Sequence, residues 1–225
     1  SLNVSRESSG DFNESSRVEL EPAFAKELFG SNISQARAYT ALLAKDSGTF
    51  GLLGPRELPQ LWSRHVISGG LLAELVEPGQ KVVDVGSGAG LPGIPMAIAA
   101  PDSHFTLVEP MERRASWLSS AVTELGLENV SVLRARAEDV HRTDFDIATA
   151  RAVAALDKLI RLLSPLIRGS SGKTVLALKG SKAPEGIIAA TERLELLGFD
   201  TPEILTLGLN KAPETATVVR IRLKA

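Results

Sequence analysis

Residues 82–93 read VVDVGSGAGLPG, and this stretch decides the fold. An apolar run suited to a buried strand carries an acid, Asp84, and gives way to Gly86, Gly88 and Gly90 at every second position. Glycines so spaced let a chain leave a strand in a tight turn and bring its backbone close to a ligand. The same residues also spell G-x-G-x-x-G from Gly88 to Gly93, a dinucleotide pattern that is weak when it stands alone. The chemistry separates the two readings. A pyrophosphate needs free N–H groups at the start of the following helix, and Pro92 and Pro95 remove two of them. The loop therefore suits an uncharged nucleoside moiety better than a diphosphate.

Downstream, short apolar runs alternate with amphipathic stretches. Strands are expected at 81–85, 104–108, 130–134, 145–150 and 174–178, with helices near 92–100, 112–125 and 156–167 between them. Strands and helices alternating at this spacing imply a parallel sheet covered by helices on both faces. A further helix at 185–197 leads to strands at 203–207 and 215–223. The turn joining those last two, around 210–213, is too short for a parallel crossover, so the last strand should run antiparallel. The fold expected is α/β and Rossmann-like, with seven mostly parallel strands.

Upstream, residues 22–79 read as a helical extension. Pro22 sits in a first helical turn, a second helix spans about 34–45, 48–55 is a Gly/Pro loop, and a third helix runs from Leu58 to Val76 until Pro78-Gly79 stops it. Residues 1–21 are Ser-, Asn- and Glu-rich and read as a polar tail, which leaves 80–225 as the ligand-binding domain.

Composition bounds the chemistry. In 225 residues, 25 are basic and 27 acidic, so a globally basic coat is excluded while a local basic patch is not. Cysteine is absent, which removes disulfides, thiolate metal sites and thiolate nucleophiles. The three histidines are scattered, so no metal site is expected. No apolar stretch approaches the ~20 residues of a membrane span, and no secretory signal is seen, which fits a cytoplasmic protein.

In an open parallel sheet, ligands bind outside the carboxyl ends of the strands. The second strand ends at Glu109, 25 residues beyond Asp84 and placed to accept hydrogen bonds from two ribose hydroxyls. After the third come Arg134, Arg136, Ala137 and Glu138, where a base edge could be met. The fourth ends at Arg151 and the fifth at Lys179, two cations on one edge.

These residues carry a specific resemblance. WSRHVISG (62–69), VVDVGSGAGLPGIPMAIAAPD (82–102), Glu109, Arg136-Ala137-Glu138, ARAVAALDKL (150–159) and ALKG (177–180) are similar to the RsmG (glucose-inhibited division protein B) family of class I S-adenosylmethionine-dependent methyltransferases. The chain departs from the pattern in having Glu109 where some members have Asp, Ala150 for Ser, and Val66-Ile67-Ser68-Gly69 after the Arg-His pair. The resemblance implies methyl transfer from S-adenosyl-L-methionine to N7 of a guanine in 16S ribosomal RNA. It implies that Gly86, Leu91, Ala137, Glu138 and Arg151 contact the cofactor, with Glu109 on its ribose. The loop residues Asp84, Gly88 and Gly90 complete that set.

The absent cysteine fits this reaction, because a C5-pyrimidine methylase needs a thiol. An N7 acceptor carries a free lone pair and no proton, and so needs no general base. Arg151 and Lys179 are expected to hold the base, with His65 as a third catalytic candidate. His65 shares a helix face with Leu61, Trp62 and Leu72, so it reads equally as a core histidine. Phosphate contacts are expected from Arg64, Arg113, Arg114, Arg134, Arg136, Lys179 and Lys182, on 16S rRNA or the small ribosomal subunit, with the protein a monomer. The rivals are a nicotinamide-dependent oxidoreductase or a small-molecule methyltransferase on the same fold, and a non-catalytic binding module.

Overall fold

A computed structural model describes residues 17–151, 155–169, 172–179 and 183–224. Seven strands form one sheet: β1 (Lys81–Val85), β2 (His104–Val108), β3 (Val130–Leu133), β4 (Ile147–Arg151), β5 (Thr174–Lys179), β6 (Glu203–Leu207) and β7 (Ala216–Arg222). Their order is β3-β2-β1-β4-β5-β7-β6. The first five pair in parallel, and β7 runs antiparallel between β5 and β6. The chain builds outward from β1 to β3, then returns to lay β4 on the other side of β1. The crevice between β1 and β4 is thus the point where the strand order reverses, and ligands bind at such points.

Side-chain alternation along the strands feeds two cores. Val82, Phe105, Leu107, Ile147, Leu176 and Val218 face α4 (Gly93–Ala99), α5 (Glu112–Glu124) and the N-terminal helices. Val83, Val85, Val108, Ala148, Val175 and Val219 face α6 (Leu156–Leu163) and α7 (Ala183–Leu196). On α6, Leu156, Leu159, Ile160 and Leu163 recur at helical spacing and are all buried.

The N-terminal helices are α1 (Phe24–Phe29), α2 (Ile33–Phe50) and α3 (Ser68–Leu71). They share the first core with the sheet instead of standing apart. Two expectations fail here. First, α2 runs through Gly48 to Phe50, where a loop was expected. A helical glycine costs about 1 kcal/mol, but Arg113 and Arg114 of α5 donate to the carbonyls of Thr49 (2.7 Å) and Gly51 (3.0 Å) and hold the helix end. Gly51, at φ +61°, ends the helix in the left-handed conformation that glycine favours.

Second, the single helix expected over 58–76 is four pieces: a 3₁₀ stretch (Pro55–Gln60), a π-helix (Leu61–Ile67), α3, and a 3₁₀ turn (Leu72–Leu75). Packing around α3 is tight. A Cβ on Gly69 would lie 3.1 Å from Pro95 of α4, and one on Gly70 would lie 2.8 Å from Phe29 of α1. The tail boundary also moves. Glu21 forms a two-point ion pair with Arg37 (2.7 and 2.9 Å), and Glu19 accepts from the backbone N–H (3.0 Å) and the hydroxyl of Ser63. Residues 17–21 are therefore anchored, and 1–16 lie outside the described residues.

Candidate functional site

The site begins with the acid at the end of β1. Asp84 is 1% exposed. Its Oδ2 accepts from the Ser87 hydroxyl (2.7 Å) and the Gly93 N–H (3.0 Å), tying the start of the loop to the start of α4. No other residue fits at position 93, because a Cβ would sit 2.7 Å from that oxygen and 2.4 Å from Leu107. The second oxygen, Oδ1, is buried without a partner among the described residues. Burial pushes the Asp84 pKa up to about 7. The hydrogen bonds from Ser87 and Gly93 and the charge of Arg151 pull it down, and Glu109 pushes it up.

The loop is held from both sides. Glu109, 3% exposed, accepts from the Gly88 N–H through Oε1 (3.0 Å) and from the Met111 N–H through Oε2 (2.8 Å). Each carboxylate oxygen retains a second lone pair. On the other side, the Tyr39 hydroxyl of α2 donates to the Ala89 carbonyl at 2.6 Å. Tyr39 is wholly buried, and that burial pushes its pKa well above the usual phenol value, so it stays a neutral donor. Sequence reasoning missed Tyr39. The available signal was the residue type: a hydroxyl on an apolar helix face requires a buried partner.

The three glycines divide their work. Gly86 (φ +67°) and Gly88 (φ +56°) need the left-handed conformation, and both open onto space. A Cβ on Gly86 would meet nothing within 4 Å, and one on Gly88 would come no nearer than Arg151 Nη2 at 3.8 Å and Glu109 Oε1 at 4.0 Å. Gly90 differs. Its Cβ would collide with Ile94 at 2.4 Å, so its lack of a side chain serves packing of the loop against α4. Leu91 is buried below the loop. Beyond β3, Ala137 is buried and Glu138 exposed in one 3₁₀ turn, beside a cavity of about 470 Å³ that α6 closes with Lys158, Arg161 and Leu162.

The cationic candidates separate. Arg151 ends β4 against the Gly88 cradle. Lys179 ends β5 with its backbone opposite Thr217, and its side chain, like all of Lys182, lies outside the description. Arg64 reaches Glu214 (3.6 Å) in the β6–β7 turn, and Arg134 reaches Glu112 (3.6 Å) across exposed surface. Arg136 is exposed beside the Ala137 turn. Arg113 and Arg114 are committed elsewhere: they fasten α5 to the end of α2 through the two carbonyl bonds already described, and Arg113 also lies over Phe50. His65 is neither a plain core residue nor free. Its Nε2 lies 2.7 Å from Glu57 Oε2. Burial holds its pKa below the usual imidazole value, and the charges of Arg151 and Arg64 act in the same direction against the pull of Glu57. Both tryptophans are buried, and Trp117 donates to Asp46 (2.8 Å). Among the described residues no group of three His, Asp or Glu could hold a metal ion, and no helix is long and apolar enough to cross a membrane.

The fold is shared with solved methyltransferases. M. jannaschii TYW2 in complex with AdoMet superposes with a TM-score of 0.55 at 18% identity, over 70% of this chain and 74% of that one. An O-methyltransferase of Thermotoga maritima, SAM-dependent by its description, gives 0.53 at 18%, over 71% and 65%. Sequence comparison is closer. The ribosomal RNA small subunit methyltransferase G of Clavibacter michiganensis is 47% identical over 92% of this chain and 97% of its own length. That of Mycolicibacterium smegmatis is 43% identical, over 92% and 89%. A family profile, GidB, described as rRNA small subunit methyltransferase G, matches residues 32–213.

A seven-stranded sheet with an antiparallel β7, opened at its strand-order reversal by a glycine cradle, is the fold of these solved methyltransferases. The profile match and the near relatives then place the chain within that class: it belongs to the GidB family of small-subunit ribosomal RNA methyltransferases.

Proposed function

We propose that this protein transfers the methyl group of S-adenosyl-L-methionine to N7 of one guanine in 16S rRNA, acting as a cytoplasmic monomer on the RNA or the small subunit. The observation that carries the reading is the open cradle over Gly86 and Gly88, edged by Glu109 and Arg151. The residues fit the cofactor. Two glycines leave the room that a close-lying ligand needs, and a buried carboxylate beneath them keeps one oxygen unmet. Bound there, S-adenosylmethionine supplies an activated methyl group on a sulfonium.

This chain's own residues do the positioning. Glu109, on the spare lone pairs of its carboxylate, would accept from the ribose, while Ala137 and Glu138 would hold the adenine. Arg151 stands where β4 ends and can hold two acceptors in its planar fork, on the cofactor's carboxylate or the guanine O6. Holding acceptor and donor in line contributes roughly 7–11 kcal/mol to such a displacement. The carboxylates of Asp84 and Glu109 both accept from loop donors, and His65 is paired with Glu57. That commitment supports an acceptor with no proton to lose. Arg134, Arg136 and the cations at 179 and 182 supply the phosphate contacts. Labelled methyl transfer to 16S rRNA from cells lacking this protein tests the reading, with N7-methylguanosine as the expected product.

Asp84 gives the cradle a pH signature. Its folded pKa, about 7, lies above its ordinary 3.8, so what burial penalises is the ionised form. Its contribution to stability is therefore full below pH about 4 and is lost as pH rises through about 7. Arg151, Glu109, Ser87 and the Gly93 N–H face the same carboxylate. A cationic ligand favours ionised Asp84. Cofactor affinity should accordingly rise between pH 6 and 8, with a proton released on binding. Calorimetry in two buffers of different ionisation heat measures this. Affinity that is flat with pH, or equally steep in Asp84→Asn, would remove Asp84 from the cofactor site.

A further inference from the structure

We infer that Glu57 reads the Watson–Crick edge of the acceptor guanine, with His65 as the residue that positions it. This rests on the proposed guanine acceptor. The segment 57–69 crosses the carboxyl edge of the sheet. At one end Gly69 packs against Pro92 and Pro95, beside the glycine loop. Further along, Arg64 reaches Glu214 in the β6–β7 turn, beyond β5 and β7. Between these anchors His65 lies close enough to the end of β4 for the charge of Arg151 to act on its imidazole. Glu57, bonded to His65, belongs to this same stretch.

The local structure is built for placement. Residues 61–67 form a π-helix, a rare conformation that concentrates at functional sites. Its first turn is pinned from outside by Glu19 on Ser63. Glu57 Oε2 is held at 2.7 Å by His65 Nε2, and Oε1 has no partner among the described residues. The Glu57 side chain is 35% exposed against 12% for His65, so the imidazole is packed and the carboxylate opens outward. A neutral imidazole protonated on Nε2 donates to Oε2 and leaves the carboxylate its charge.

The chemistry selects the ligand. Guanine alone among the four RNA bases offers two adjacent donors, N1–H and the N2 amino group, to a carboxylate. Methylation at N7 leaves positive charge on the purine and makes N1–H more acidic. The bond to Glu57 therefore strengthens as the methyl group arrives, so it serves rate as well as selection.

The test compares guanine with inosine, which keeps N1–H and N7 but lacks the 2-amino group, at the methylated position of small-subunit RNA. In single-turnover reactions the wild type should methylate inosine about 10- to 100-fold more slowly, the effect of one hydrogen bond to a charged group. Glu57→Gln and Glu57→Ala should be slower on guanine by about 100-fold and discriminate little between the two bases. Their affinity for S-adenosylhomocysteine should stay unchanged, which reports an intact fold. Wild-type discrimination retained in both variants would overturn the assignment, since a merely structural hydrogen bond cannot sense the amino group. A wild type that leaves N7 of guanine unmethylated would overturn the guanine reading together with this one.

Discussion

Gly88→Asp should weaken cofactor binding by up to ~100-fold and leave the fold standing. Position 88 has φ +56°, a conformation that Asp tolerates at a cost of about 1–2 kcal/mol. The new Cβ would find no clash, since its nearest neighbours are Arg151 Nη2 at 3.8 Å and Glu109 Oε1 at 4.0 Å. The carboxylate beyond it must then occupy the space that the cradle leaves open. Overfilling a close-fitted space costs about 1–3 kcal/mol, and the upper end of that range corresponds to ~100-fold in affinity. Calorimetry with S-adenosylhomocysteine should show the loss, while the thermal transition stays cooperative. Unchanged affinity in a folded mutant would place the cofactor elsewhere.

Arg151→Lys should cost about 100-fold in single-turnover methylation, with a smaller loss of RNA affinity. A cation beside a sulfonium is unfavourable unless it also holds an anion or a carbonyl. Arg151 is anchored at the end of a central strand, paired in register with Leu178 of β5. Its guanidinium can hold two acceptors at fixed geometry, whereas an ammonium offers one point of charge. The lysine keeps the charge and misplaces what it held, and a displacement of about 1 Å is enough for a loss of that size. Full single-turnover activity in the lysine protein would make Arg151 an ordinary structural arginine.

The sheet was legible because strand signals are local. Alternation and the glycine loop placed β1, β2 and β6 at their observed limits and the rest within about two residues, and the short last turn foretold the antiparallel β7. The N-terminal region was less so, because tertiary contacts shape it. Carbonyl bonds from Arg113 and Arg114 hold α2 beyond Gly48, and Gly69 and Gly70 pack α3 against Pro95 and Phe29 within the helix expected at 58–76. The same cause hid part of the site. A list of arginines cannot show that Arg113 and Arg114 are bound to α2 while Arg136 is exposed. Nor could spacing reveal that Tyr39 reaches 50 residues ahead to the loop, or that Glu57 and His65 meet.

Delivery of a methyl group from this cradle to guanine N7 of small-subunit RNA is open to direct measurement. The direct measurement incubates the protein and methyl-labelled S-adenosylmethionine with 16S rRNA, free and in 30S subunits, from cells lacking this protein. Nucleoside analysis then follows the label. Label should appear in 7-methylguanosine at one position, and not at all when the RNA comes from cells that contain the protein. Label in another nucleoside, or no transfer by a protein that binds S-adenosylhomocysteine tightly, would contradict it.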